Sequence, residues 1–347
     1  VSAWSHRYAG KRVVVTGGLG FLGSNLVHAL AQAGADVTVL DALVAGCGGK
    51  LLNLTGAACR IVRGDIGNPD AALDACGRCT MVFNLAGEIS HSRSMSEPER
   101  DGALNAVAQL RFLSLLAQYC PRVRVVYAGT RQVYGTPLSL PVDEDHPIDP
   151  VDFNGIHKYA ATMYHMLYSR LGQLDAAVLR LSNVYGPRMA LDVPGQGFLG
   201  VFIRRALAGE PLTVYGSGEQ LRDPIYVGDA VEAFLAAGAE ERLPVRSFNL
   251  GGAQALSLGA IAEAIAEAAQ TGSRVHKVAF PADQRAWDIG SYVANWSRAR
   301  RVLGWIPGTS FRAGVQATLR FYREHADEYL SSPAVGAAAA HRLERVG

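Results

Sequence analysis

Three glycines, Gly17, Gly20 and Gly23, follow the β-branched run Val13-Val14-Val15 at three-residue spacing. That spacing lets a strand turn tightly into a helix. It brings the N–H groups of the helix N-terminus close to an anion such as a pyrophosphate, with Phe21 and Leu22 in the glycine turn that leads into it. Asp41 ends the next apolar run, eighteen residues after Gly23. A carboxylate there accepts hydrogen bonds from an adenosine ribose and repels a 2′-phosphate. No arginine follows it closely, so the expected cofactor is NAD and not NADP. Farther along, Asn154-Gly-Ile-His-Lys158 sets an amide and an amine four residues apart, on one face of a helix.

The elements that must carry these groups alternate in type. Strands are predicted at Val13–Thr16, Asp36–Asp41, Arg60–Arg63, Met81–Leu85, Val123–Ala128 and Ala176–Leu181. Helices are predicted at Ser24–Ala33, Arg100–Tyr119 and Gly155–Leu171, and later at Phe198–Ala208 and Tyr226–Ala237. This alternation implies an α/β fold, a Rossmann-type doubly wound parallel sheet with helices on both faces. The rhythm changes after Gly186-Pro187. The expected division is a dinucleotide-binding domain over 1–185 with a return segment near 225–250, a smaller interleaved C-terminal substrate lobe over 186–330, and a tail over 331–347.

A chain of 347 residues, 49% hydrophobic and 18% charged, is long enough to bury a substantial core. Its net charge of +2 does not point to nucleic acid or a membrane surface. The five cysteines follow no disulfide framework. Cys76-Gly-Arg-Cys79 lacks the second pair that a zinc site needs, so packing or an incidental thiol pair is expected, and no metal. No apolar run is long enough for a membrane span and no signal peptide is evident, which makes the cytoplasm the expected location.

The motifs in this order resemble the extended short-chain dehydrogenases/reductases that act on nucleotide sugars, the NAD-dependent epimerase/dehydratase family. The likeness spans about residues 11–325. Thr16-Gly-Gly-Leu-Gly-Phe-Leu-Gly23 looks like the family's opening. Gly64-Asp65-Ile66 is similar to its adenine loop, and Asn84-Leu85-Ala86-Gly87 to its segment under the nicotinamide ribose. Asn105 sits where the family keeps an asparagine. Ala128-Gly-Thr-Arg-Gln-Val-Tyr-Gly135 looks like its catalytic strand end, with Thr130 at the hydroxyl position. Asn183-Val-Tyr-Gly-Pro187 and Arg222-Asp-Pro-Ile-Tyr-Val-Gly-Asp229 are similar to its nucleotide-sugar segments. The resemblance also implies a homodimer through a four-helix bundle, with Val107, Leu110, Leu113, Tyr164 and Tyr168 as contact candidates.

One departure matters. The family's catalytic pair is Tyr-x-x-x-Lys, in which the lysine binds the ribose and the tyrosinate takes the hydroxyl proton. Here Lys158 is present and Asn154 stands in the tyrosine's position; an amide cannot be a general base. Tyr159 lies about 100° around the helix and does not substitute. The remaining proton acceptors are Lys158, Glu88, which follows Gly87 and should face the sugar, and more weakly His91, His157 and Tyr134. The glutamate used by the family's dehydratases and decarboxylases is Gln132 here, which disfavours both routes.

The resemblance gives Arg222 and Arg285 to the nucleotide's phosphates, and guanidinium forks suit phosphate oxygens. Asn183 would donate to a phosphate or sugar oxygen. Gln196 lies where Gly195-Gln-Gly-Phe198 opens a helix that can also meet the diphosphate. The reading that follows is an NAD-dependent nucleotide-sugar epimerase that transiently oxidises a ring hydroxyl, at C4, with a base other than tyrosine. Its rivals are another redox or lyase reaction on a nucleotide sugar, and a non-catalytic protein that binds NAD and a sugar nucleotide.

Overall fold

The structure is a computed structural model and describes residues 4–193, 197–281 and 288–330. Seven strands form its central sheet: β1 (Arg12–Thr16), β2 (Asp36–Asp41), β3 (Arg60–Arg63), β4 (Met81–Asn84), β5 (Arg124–Thr130), β6 (Asp175–Leu181) and β7 (Ser247–Leu250). All are parallel, in the order β7-β6-β5-β4-β1-β2-β3. The expected doubly wound sheet is therefore present. Val13, Val14 and Val15 of β1 are buried on both faces, as β-branched residues in the middle of a parallel sheet should be.

Helices cover both faces. They include α1 (Phe21–Gln32), α2 (Pro69–Cys76), α3 (His91–Ser96), α4 (Pro98–Gly102), α5 (Ala108–Tyr119) and α6 (Phe153–Arg170). Sequence periodicity misses α2 and α3, which are too short to show a full amphipathic repeat, whereas the helix predicted over Arg100–Tyr119 begins within α4 and runs on into α5. Between α4 and α5 the backbone widens into a π-helical turn, Ala103–Val107. Such turns often mark functional sites. Helix α7 (Phe198–Leu207) follows β6, and α8 (Val227–Ala239) leads back to β7 at the sheet edge.

Two large apolar clusters hold the chain together. One lies between the sheet, α1 and α8 and includes Val15, Leu26, Phe83, Phe234 and Trp305. The other joins α7 to later helices through Phe202, Ile203, Ile261, Phe311 and Tyr322. No described helix is long and apolar enough to cross a membrane. Cys76 packs into the core below β1 and β4, and all five cysteines are free thiols.

The strand order reverses at β1, which has β2 on one side and β4 on the other. Thr16 pairs in register with Leu40 and Asn84, so three strands end at one level. A crevice at the carboxyl ends of strands beside such a reversal is where open α/β sheets bind ligands.

Candidate active site

A cleft of about 480 Å³ opens there. Its cofactor end is built by the glycine turn. Gly17 has φ +68, and a Cβ on it would lie 2.9 Å from backbone atoms of Leu85 and Ala86. A Cβ on Gly23 would lie 2.2 Å from the Gly17 carbonyl oxygen. Only glycine fits either position. Gly20 caps α1 with extended backbone and no side-chain hydrogen bond, so the donors of the first turn remain for a ligand. Gly20, Phe21 and Leu22 line the cleft with Asp41, Asp65 and Ile66. The Asp41 carboxylate accepts from Leu19 N at 3.0 Å and Leu43 N at 2.8 Å, while burial pushes its pKa upward. Glycine cradle, uncapped helix and carboxylate together fit an adenine dinucleotide with a free 2′-hydroxyl.

The floor is Leu85-Ala86-Gly87. Thr16 Oγ1 accepts from Leu85 N at 3.1 Å and Ala86 N at 3.2 Å and fixes that backbone. Lys158 reaches it from α6: its Nζ lies 3.3 Å from where a Cβ on Gly87 would stand. Burial holds the Lys158 pKa down to about 8, against the opposing pull of Asp101 and Glu88. Thr130, Asn154 and Lys158 all line the cleft, as do Asn183 and Arg222.

Two expected site residues stand behind the cleft wall and not on it. Glu88 is 1% exposed. Its Oε1 accepts from Ile89 N and Ser90 N, and its Oε2 pairs with Arg93 at 3.0 Å and accepts from Cys47 Sγ. It therefore does not face a sugar. Asn105, in the π-helical turn, grips the Glu88 backbone from both sides: it accepts from Glu88 N at 3.0 Å and donates to Glu88 O at 3.1 Å. It shapes the floor from beneath. His157 turns to the outer surface beside Phe153 and Val107, and Tyr159 packs against the Val133–Tyr134 cluster. Tyr134 is fully buried, bonded to Asn249. Gln196 and Arg285 lie outside the described residues.

The sequence and fold have clear relatives. Residues 13–251 match the NAD dependent epimerase/dehydratase family. The chain belongs to that family. A UDP-glucose 4-epimerase from Mycolicibacterium smegmatis is 34% identical over 316 residues, covering 90% of this chain and 98% of its own. The UDP-glucose 4-epimerase of Thermotoga maritima, solved with UDP-glucose, superposes with a TM-score of 0.83 at 28% identity, covering 91% and 99% of the two chains. The UDP-glucose 4-epimerase of Thermus thermophilus, solved with NAD, gives 0.79 at 29% identity over 90% and 99%. The cofactor is NAD.

For a member of the NAD-dependent epimerase/dehydratase family, the far end of the cleft adds one unanticipated group, Arg131, to the expected Arg222 and Asn183. Arg131 is 8% exposed, stacks over Tyr292 at 5.0 Å, and has a buried Nη1 without a hydrogen-bond partner. Arg222 is also buried and donates to the carbonyls of Leu221 and Gly290. Burial drives its pKa down to about 9, and the Arg131 charge adds to the fall. Neither guanidinium has a carboxylate within ion-pair distance among the described residues. Buried charges are normally paired, so this end can take an anion. Asn183 Oδ1, buried nearby without a partner, is a further polar contact. Arg131 follows Thr130 directly, and its position at the strand end was the one signal available.

Next to Arg131 in the same cleft, Gln132 Nε2 donates to Asp152 Oδ2 at 3.0 Å. The same carboxylate lies 3.1 Å from His91 Nδ1. Gln132 is thus a neutral amide tied to a carboxylate, at the position where the resemblance expects a glutamate.

Proposed function

We propose that the protein is an NAD-dependent nucleotide-sugar epimerase that oxidises a ring hydroxyl, at C4, and returns the hydrogen to the opposite face. The observation that carries this reading is the continuity of one cleft. It runs from the glycine turn and Asp41, past Thr130 and Lys158, to Asn183, Arg131 and Arg222. A dinucleotide at one end and a diphosphate at the other leave a sugar beside Thr130.

When bound, NAD supplies the acceptor and donor of hydrogen. Lys158 holds the nicotinamide ribose from below Gly87. Thr130 orients the reacting hydroxyl. Arg222, Arg131 and Asn183 hold the diphosphate, whose charge supplies the partner that both guanidiniums lack. Gln132 cannot abstract a C–H proton, which argues against elimination and decarboxylation. Catalysis passes through Lys158 or a group beside it, since the Asn154 amide has no useful basicity.

A non-catalytic binding role is the second reading. The observation favouring it is that Asn154 donates to both Glu88 O and Asp101 Oδ2, so its amide supports structure. The test is NMR of UDP-, GDP-, dTDP- and CDP-sugars incubated with the NAD-loaded protein. Appearance of an epimer supports the enzyme; binding of several without any product supports the alternative.

We also propose a homodimer through α5 and α6. Val107 and Leu110 are exposed there, joined by Ile156, Met163 and Leu167. Leu113, the other apolar contact candidate on α5, is fully buried against the sheet and is not available. Light scattering should give a dimer mass.

A further inference from the structure

The missing phenol leaves the hydroxyl proton without an acceptor, and the cleft offers one. His91 begins α3, where Ser90 caps the helix. Helix α3 lies against the start of α6: Asn154 N donates to Ser94 Oγ at 3.2 Å. His91 and Asn154 both line the cleft with Thr130 and Lys158. The His91 side chain is 39% exposed, whereas that of Asp152 behind it is 1% exposed.

Asp152 is fixed from two sides. Its Oδ1 accepts from Gly155 N at 2.6 Å as the N-cap of α6, and its Oδ2 accepts from Gln132 Nε2. Burial would raise its carboxyl pKa, but the bonds from His91, Gly155 and Gln132 outweigh it and hold the group below its usual range. Asp152 is therefore an anion. Gln132 Nε2 also lies 3.1 Å from His91 Nδ1. Nδ1 can donate to the carboxylate or accept from the amide, not both. Donation to an ionised carboxylate is the stronger bond. That choice leaves Nε2 without a proton, as an acceptor.

We infer that His91, oriented by Asp152, accepts the substrate's hydroxyl proton in the place that the resemblance gives to a tyrosine. The inference rests on the epimerase reading. The carbinol O–H bond breaks and its proton passes to His91 Nε2. The electron pair of the neighbouring C–H bond leaves with its hydrogen to the oxidised nicotinamide, and a carbonyl remains. The reverse transfers, to the other face of the carbonyl, regenerate neutral His91. Asp152 is a positioning residue: it fixes the tautomer and stabilises the imidazolium, the arrangement an Asp–His pair uses elsewhere. Lys158 is committed to the cofactor side, against Gly87.

The test uses the full chain loaded with NAD and a sugar nucleotide that reduces it. His91→Ala should slow single-turnover NADH formation by about 10²–10⁴-fold. Calorimetric affinity for the sugar nucleotide should stay within a few-fold, and added imidazole should restore part of the rate. Independently of activity, ¹⁵N NMR of the unmodified protein should find His91 protonated at Nδ1 and bare at Nε2. In Asp152→Asn, which keeps a cap for Gly155, the Nδ1–H resonance should move upfield because only neutral acceptors remain. A His91→Ala rate within about threefold of the unmodified protein overturns the assignment; so does a proton on Nε2 with Nδ1 bare. If the unmodified protein reduces no NAD with any sugar nucleotide, the epimerase reading fails first and this inference falls with it.

Discussion

Asn154 donates its side-chain amide to Asp101 at 2.9 Å, and the same carboxylate holds His157 at 2.7 Å on its other oxygen. The residue at the expected tyrosine position is thus a buried link between the cleft and the outer face of α6. Asn154→Ala removes the Asn154 donor from Asp101 Oδ2 and leaves the Glu88 carbonyl only the bond from Asn105. A loss of about 1–3 kcal/mol in stability is expected, read from denaturant unfolding. Turnover should fall less than in Lys158→Met, because the lysine that holds the nicotinamide ribose stays in place. Asn154→Asp should cost more stability, since two carboxylates would then face each other.

Lys158 carries a sign that can be checked. Burial holds its pKa in the folded protein at about 8, below the usual 10.5. Between these values the unfolded chain binds more protons than the folded one, so this group's contribution to stability rises with pH. Below about pH 8 the buried charge costs the fold its full penalty. Lys158→Met in the NAD-free protein should therefore be the more stable form at pH 7, by at most on the order of 3 kcal/mol. The gap should shrink as pH approaches 10.5. The same variant should bind NAD weakly and show no turnover. Paired urea titrations at several pH values test the first statement, and calorimetry the second.

Arg131 and Arg222 should behave as an anion site. Arg131→Met removes one of two neighbouring buried cations, so the ligand-free protein should not lose stability and should gain it at low salt. Affinity for a nucleoside diphosphate should fall by about tenfold or more, as expected for a lost charge-assisted contact. NAD affinity should be unchanged. An equal loss for NAD would mean that Arg131 supports the whole cleft and not its phosphate end.

Asp41 should govern cofactor choice. Asp41→Ala removes an acceptor for the ribose hydroxyls and the negative charge that opposes a 2′-phosphate. NAD should bind more weakly and the preference over NADP should narrow. Tighter binding of NADP than NAD to the unmodified protein would contradict this assignment.

The parts of the site made from backbone were legible in the sequence. Gly17 and Gly23 have no tolerated replacement, and Asp41 is fixed by the end of a strand, so spacing alone locates them. Six of the sheet's seven strands were equally legible, because they are short apolar runs between helical periods; the edge strand β7 was not. Residues defined by distant partners were not. Glu88 follows Gly87 in the chain, but Arg93 and Cys47 turn its carboxylate away from the cleft. Leu113 has the same apolar character as Leu110, and only the packed helix decides which of them meets the sheet. Gln132 and Asp152 come together with His91 across loops and two helices, and no local pattern announces that contact.

On the epimerase reading, a sugar hydroxyl is oxidised in this cleft without a tyrosine at position 154. The most direct measurement is single-turnover absorbance of NADH after mixing the NAD-loaded protein with candidate sugar nucleotides, with product NMR on the same samples. The expected result is transient NADH with at least one sugar nucleotide, followed by its C4 epimer. Tight binding of several sugar nucleotides with neither NADH nor epimer would contradict the claim and leave a binding protein.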